Sequence, residues 1–212
     1  MTENIRVYTQ NSIRINEEEK IIYIDSFKMN EEPKDADFVL ITHDHYDHFS
    51  PEDIKKVACE KTVLIVPKKM EKKAEELRPF VKRIETVSPS KEYEIDGLKF
   101  ETVPAYNILK PFHPKMSEWV GYILILNGKR IYIAGDTDAT NEAKSVKCDI
   151  ALVPIGGFYT MDAKNAAEFI NTIKPSVAIP VHFGSVVGSP KDADVFMKLV
   201  KEPVKTEMLI EY

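Results

Sequence analysis

The segment LITHDHYDH (40–48) constrains this chain more than any other, because three of its five histidines and two aspartates fall within six positions directly after an apolar run. An imidazole or carboxylate buried without a partner is costly, so the fold has to bring a strand edge to a polar, chemically active point here. DFVLIT (37–42) reads as a buried strand. His43 and His45 are two apart, so an extended backbone points both rings to the same side. Ser50 is the expected N-cap of the next helix, with Pro51 at its first position and Asp53 in its first turn, which leaves Asp47 and His48 on the intervening turn. Two nitrogen donors on one side, followed by a carboxylate and another imidazole, suit a borderline divalent ion such as zinc, manganese or iron.

Short β-branched and aromatic runs recur through the rest of the chain: IRVYTQ, KIIYID, TVLIVP, LKFETV, WVGYILIL, KRIYIAGD, DIALVP, VAIPVHF and EMLIEY. They have strand length and are bounded by turn residues or charges. Helices are expected at SPEDIKKVAC, at DAKNAAEFINTI with Ala163, Ala166, Ala167 and Ile170 on one face, and at DADVFMKLV with Phe196, Leu199 and Val200 together. The lysine-rich PKKMEKKAEELR reads as a solvated amphipathic helix burying Met70, Ala74 and Leu77. The pattern predicts an α/β fold of two sheets packed face to face with helices outside. With no linker-like stretch and no repeat, residues 1–212 read as a single domain.

The net charge of -5 gives no basic field to gather a polyanion, so nucleic-acid binding is not expected. Cys59 and Cys148 stand far apart outside any C-x-x-C arrangement, which excludes a disulfide framework and a thiolate metal site and predicts buried thiols in a reducing compartment. The first twenty residues lack the pattern of a secretory signal, and no run approaches a membrane span, so a cytoplasmic protein without a membrane partner is expected. The oligomeric state is open, a homo-oligomer included.

THDHYDH resembles the H-x-H-x-D-H signature of the metallo-β-lactamase superfamily. IIYIDSF looks like the strand before that signature, IAGDTD like the strand ending in a metal-bridging aspartate, and IPVHFG like the strand carrying the last histidine ligand. DADFVLITHDHYDHFSPEDI, PIGGFYTMDAKNAAEFI and IPVHFG together are similar to the branch of ascorbate-6-phosphate lactonase-like metal-dependent hydrolases. The resemblance implies a four-layer αββα sandwich. It also implies two divalent ions, zinc in the first instance with manganese or iron as alternatives. His43 and His45 match ligands of the first ion, Asp47, His48 and His182 those of the second, and Asp136 the bridge. The family's third histidine of the first site has no match, because Tyr106 and Asn107 stand there; His113 is the remaining histidine and is assigned that role. Asp25 matches an aspartate that orients a histidine ligand through its second ring nitrogen.

By the same resemblance, a metal-bound hydroxide would attack a small cytoplasmic ester, lactone or phosphorylated metabolite, with Asp47 orienting it as the catalytic residue. Candidate proton donors to the leaving group are Tyr46, Tyr159, Thr160, Lys110 and Lys115. Gly156 and Gly157 could offer backbone N–H groups to an anion, or simply make a tight turn. The alternatives are a metal-dependent phosphodiesterase or nuclease and a non-catalytic metal sensor on the same fold. A diiron redox protein is disfavoured by His45, which stands where such proteins carry a carboxylate.

Overall fold

The structure, a computed structural model, describes residues 2–17 and 19–210. Its first sheet runs in chain order through β1 (Ile5–Val7), β2 (Ile13–Glu17), β3 (Lys20–Ile24), β4 (Phe38–Leu40), β5 (Val63–Pro67) and β6 (Arg83–Val87). The second holds β7 (Glu92–Ile95), β8 (Leu98–Pro104), β9 (Val120–Leu126), β10 (Lys129–Ile133), β11 (Ile150–Pro154), β12 (Val177–Val181) and β13 (Lys205–Thr206), in the spatial order β13-β12-β11-β10-β9-β8-β7. Both sheets are mixed: β3 to β6 and β10 to β13 pair in parallel, and the hairpins β1-β2-β3 and β7-β8-β9-β10 are antiparallel.

Side-chain alternation explains the layering. In β3, β4 and β5, Ile22, Ile24, Phe38, Leu40, Val63 and Ile65 enter the core shared with the second sheet. The intervening Tyr23, Val39, Leu64 and Val66 pack instead with Ile54 and Val57 of α1 (Pro51–Val57) and with Met70, Ala74 and Leu77. Those last three come from the lysine-rich segment, where α2 (Glu71–Ala74) is flanked by 3-10 turns at Lys68–Met70 and Glu75–Phe80. On the far face, α4 (Ala163–Ile173) buries Ala163, Ala166, Ala167, Phe169, Ile170 and Ile173, and α5 (Pro190–Leu199) buries Ala193 and Phe196. A short α3 (Asn141–Lys144) precedes β11. The result is the expected four-layer αββα sandwich.

Several details differ from the sequence reading. Leu199 lies 41% exposed rather than on the buried face of α5, because that helix lies against α4 through Ala193 and Phe196 and ends at Leu199. The described part of EMLIEY, residues 207–210, forms no strand: β13 comes earlier, and Ile210 makes an isolated bridge to Val7. Glu211 and Tyr212 lie outside the described residues. Cys59 and Cys148 are free but only half-buried.

The two sheets are tied together where β4 ends. The buried Tyr122 hydroxyl of β9 donates to the Ile41 carbonyl at 2.7 Å, and the Val120 N–H donates to the Thr42 carbonyl at 3.1 Å. Gly135, at φ +65°, passes so close that a Cβ there would meet the Thr42 side chain at 3.1 Å. These contacts set the histidine-rich turn of the first sheet against the strand ends of the second.

Candidate metal centre

Four strand ends converge. His43, His45, Asp47 and His48 occupy the turn between β4 and α1, His113 the loop between β8 and β9, Asp136 the exit of β10, and His182 the exit of β12. All seven sequence-predicted residues are brought together; His45 is half-buried and the other six are buried. Their donor atoms form three groups that could each hold a metal ion: His43 with His45 and His113, His43 with His48 and Asp136, and Asp47 with His48 and His182.

Asp136 lies at the junction. Its Oδ1 is 3.3 Å from His48 Nε2 and 3.2 Å from His182 Nε2, while its Oδ2 is 3.3 Å from His113 Nε2 and 3.9 Å from His43 Nε2. Asp47 Oδ2 stands 3.4 Å from His182 Nε2 and 3.7 Å from His48 Nε2. His43 Nε2 and His45 Nδ1 are 3.1 Å apart.

The histidines are aimed from behind. Asp25 is fully buried, and its Oδ2 lies 2.7 Å from His48 Nδ1. Its carboxylate also accepts from the Thr42 N–H at 2.8 Å, the Thr42 hydroxyl at 2.6 Å and Asn11 Nδ2 at 2.7 Å. A carboxylate accepts only, so Nδ1 carries a proton, and in the neutral ring Nε2 is the nitrogen that turns its lone pair to the cluster. His113 is held by a different acceptor: Asn107 Oδ1 takes its Nδ1–H at 2.9 Å and its backbone N–H at 3.2 Å. Asn107 Nδ2 donates in turn to the Tyr159 carbonyl at 2.9 Å. The His182 backbone N–H donates to the Gln10 backbone carbonyl at 2.8 Å.

Electrostatics separate the groups. Burial, followed by the neighbouring His48, pushes the His43 imidazole well below its ordinary range, and burial followed by His113 lowers His45. Burial would also lower His48, but the Asp136 and Asp25 carboxylates override it and hold this imidazole well above. Burial opposes ionisation of both aspartates, yet His182 and His48 hold Asp136 well below the usual carboxylate range, and the His182 hydrogen bond leads in lowering Asp47.

His113 Nε2 and Asp136 Oδ1 are buried without a hydrogen-bond partner. Buried polar atoms are paired with few exceptions. Two orphans that face the same set of imidazoles therefore fit a cation, and the nitrogen and oxygen donors suit a borderline divalent ion.

Other candidates fall away from the centre. Lys110 Nζ contacts Asp138 at 2.5 Å and the Thr160 carbonyl at 2.7 Å, Lys115 Nζ contacts Glu142 at 2.5 Å, and the Thr160 hydroxyl donates to the Met161 carbonyl at 3.1 Å. Tyr46 and Tyr159 remain from the list of proton donors. Gly156 and Gly157 serve the turn: a Cβ on Gly156 would meet the His182 carbonyl at 2.3 Å, and the Gly157 N–H donates to the Met161 carbonyl at 3.0 Å. Asp162 caps α4 by accepting from Asn165 N–H.

Sequence reasoning missed Asn107, Thr42, Gln10 and Trp119, whose ring lies 5.0 Å from those of His43 and His45. Only Asn107 left a signal, by occupying the place where the resembled pattern has histidine.

Residues 4–182 match the family model described as a beta-lactamase superfamily domain. A UPF0173 metal-dependent hydrolase of Pyrococcus abyssi is 32% identical over 186 residues, covering 84% of this chain and 80% of its own length. Its counterpart from Aeropyrum pernix is 31% identical over 191 residues, covering 81% and 76%. Among solved structures, a metal-dependent hydrolase from Parabacteroides distasonis superposes with a TM-score of 0.84 at 27% identity over 98% of this chain and 93% of that one. A metallo hydrolase from Ignicoccus hospitalis shares the fold, with a TM-score of 0.77 at 21% identity over 97% and 94%.

Proposed function

The chain belongs to the metallo-β-lactamase superfamily and, within it, to the UPF0173 family, and from that membership we propose that it is a dinuclear metal-dependent hydrolase of small molecules. The observation that carries this reading is the two-sided environment of Asp136, with His48 and His182 within 3.3 Å of one oxygen and His113 at 3.3 Å from the other. In this reading His43, His45 and His113 would hold one cation, Asp47, His48 and His182 would hold the other, and Asp136 would serve both. The residue assignments rest on this geometry together with the order of the motifs.

Two divalent cations in these groups, zinc first among the candidates, would supply Lewis acidity and acidify a bound water to near neutrality. Asp47 is the catalytic residue proposed for the chain itself. Its carboxyl stays ionised because His182 and His48 outweigh the cost of burial, so it accepts a hydrogen bond from the attacking water and fixes its direction. Tyr46 or Tyr159 delivers the proton to the leaving group. Asp25 and Asn107 keep His48 and His113 in the tautomer that presents Nε2.

The substrate class proposed is a small cytoplasmic ester, lactone or phosphorylated metabolite, in line with the likeness to ascorbate-6-phosphate lactonase-like proteins. The net charge of -5 supports a small molecule over a nucleic acid. Among the described residues no helix is long and apolar enough to cross a membrane. The reading treats residues 1–212 as one catalytic domain.

Elemental analysis of the parent, of His113→Ala and of Asp136→Asn, with turnover measured on ester, lactone and phosphoester panels, tests it. About two divalent ions in the parent, fewer in both variants and turnover lost in Asp136→Asn are expected. A metal-free parent, or turnover unaffected by Asp136→Asn, overturns it.

A further inference from the structure

Most aromatic residues elsewhere in this chain are packed away, with Tyr23, Tyr122, Tyr132, Phe100, Phe169, Phe183 and Phe196 among the largest fully buried side chains and Phe80 an exposed exception. At the rim of the metal centre the pattern reverses. Tyr46, between His45 and Asp47, is 65% exposed, and Phe158, on the loop after β11, is 69% exposed. Ile108, Leu109 and Met116, exposed as well, belong to the loop that carries His113. Among the described residues these are five of the nine exposed large apolar side chains, including the four most exposed, and apolar surface gathered in this way marks a place where something apolar binds.

The rim rings are arranged, not merely exposed. Phe112, next to His113, lies 5.3 Å from Phe158 and 4.7 Å from Tyr159, and the latter two meet edge-on at 4.8 Å. On the other side of the centre Phe27 braces Tyr46 edge-on at 5.9 Å. Edge-to-face contacts with such rings favour another ring over an aliphatic chain.

The two lysines on the loop that carries His113 are already paired with carboxylates. Lys110 holds Asp138 and the Thr160 carbonyl, and Lys115 holds Glu142. Lys73 donates to the Asp44 carbonyl at 2.6 Å, and Lys28 to the Ser185 hydroxyl at 2.9 Å. A neutral ring leaves the Lys110–Asp138 and Lys115–Glu142 pairs intact.

Resting on the hydrolase reading above, we propose that the rim formed by Tyr46, Phe112, Phe158 and Tyr159 is a subsite for an aryl group, so that the substrate is an uncharged aromatic ester or lactone rather than a phosphorylated metabolite. Tyr46 and Phe158 are its specificity-determining residues, because they offer the most ring surface.

Trp119 reports on the site directly: it is the chain's single tryptophan, and its ring lies 5.0 Å from His43 and 5.5 Å from His113. Metal-loaded full-length protein, its metal content measured beforehand, is titrated with 4-phenylbutyrate, with butyrate and with glycerol phosphate while Trp119 fluorescence is followed. Both carboxylates share one head group, so their affinity ratio isolates the ring. Phenylbutyrate is expected to bind at least about tenfold more tightly than butyrate, with the ratio falling towards one in Tyr46→Ala and Phe158→Ala that keep the parent's circular dichroism. A ratio near one in the metal-loaded parent, a ratio retained in both variants, or a preference for glycerol phosphate overturns the aryl subsite alone. Self-association that closes the rim to phenylbutyrate also overturns it, and a parent that takes up no metal overturns the hydrolase reading as well.

Discussion

Asn107 Oδ1 accepts both the ring Nδ1–H of His113 at 2.9 Å and its backbone N–H at 3.2 Å. Asn107 stands where the resembled pattern places a histidine, and it supports a histidine that reaches the centre from six residues further along the chain. The loop is closed on itself, since the Asn107 N–H also donates to the His113 carbonyl at 2.8 Å.

Asn107→Ala is therefore expected to weaken metal retention by about 10- to 100-fold, because the His113 ring loses the acceptor that fixes its tautomer. Asn107→Asp keeps an acceptor at that place and should retain more metal than the alanine variant. Chelator competition followed by elemental analysis measures both; equal retention in parent and Asn107→Ala would remove this role.

Asp25→Asn acts on the other side of the centre. An amide in that place can turn its N–H₂ towards His48 Nδ1 and favour the wrong tautomer, and it disturbs the bonds from Thr42 and Asn11. A loss of about 10- to 100-fold in metal affinity is expected, with the His48 ring protons moving in NMR spectra.

Removal of metal should lower the melting temperature, because His113 Nε2 and Asp136 Oδ1 are then buried without partners. A ligand at about 1,000 times its Kd contributes about 4 kcal/mol, and each kcal/mol corresponds to roughly 2–4 °C in a chain of this size. Calorimetry before and after chelation, with zinc added back, measures the shift; superimposable scans would contradict the prediction.

Tyr122→Phe removes the hydroxyl that joins the sheets and leaves the Ile41 carbonyl unpaired. Urea unfolding should show a loss of about 1–3 kcal/mol. A midpoint shift without a change in slope would place the effect on stability rather than on the cooperativity of unfolding.

Burial, reinforced by Asp149, pushes the Cys148 thiol up to about 12. Since the pKa is raised, the thiolate is scarce below it and appears only as pH rises towards it, so at pH 8 roughly one molecule in ten thousand carries the reactive form. Iodoacetamide at pH 8 should leave Cys148 unmodified in the folded chain and modify it in urea, as read by peptide mass spectrometry.

The strands most easily read from sequence are those with continuous apolar runs, β5, β9, β11 and β12, because both of their faces are covered. β2, β6 and β7 escaped notice. β6 and β7 are the outermost strands of their sheets, carry charges and are half-exposed or exposed through most of their length. β2 has buried Ile13 and Ile15, but its charged residues make SIRINEEE look like a surface turn.

The amino-acid sequence by itself determined the turn that carries His43, His45, Asp47 and His48, because a strand's two-residue period and a helix cap fix those positions within one short segment. It also placed Asp136 and His182 at the ends of apolar strands. Only the tertiary structure decided what lies between them: that Asp136 divides the imidazoles into two groups, that Asn107 and Asp25 aim two of the rings, and that Lys110 and Lys115 are drawn off to partners of their own. Those relations join residues separated by six to more than a hundred positions. Local periodicity carries no information across such distances, and the packing of one sheet on the other supplies it.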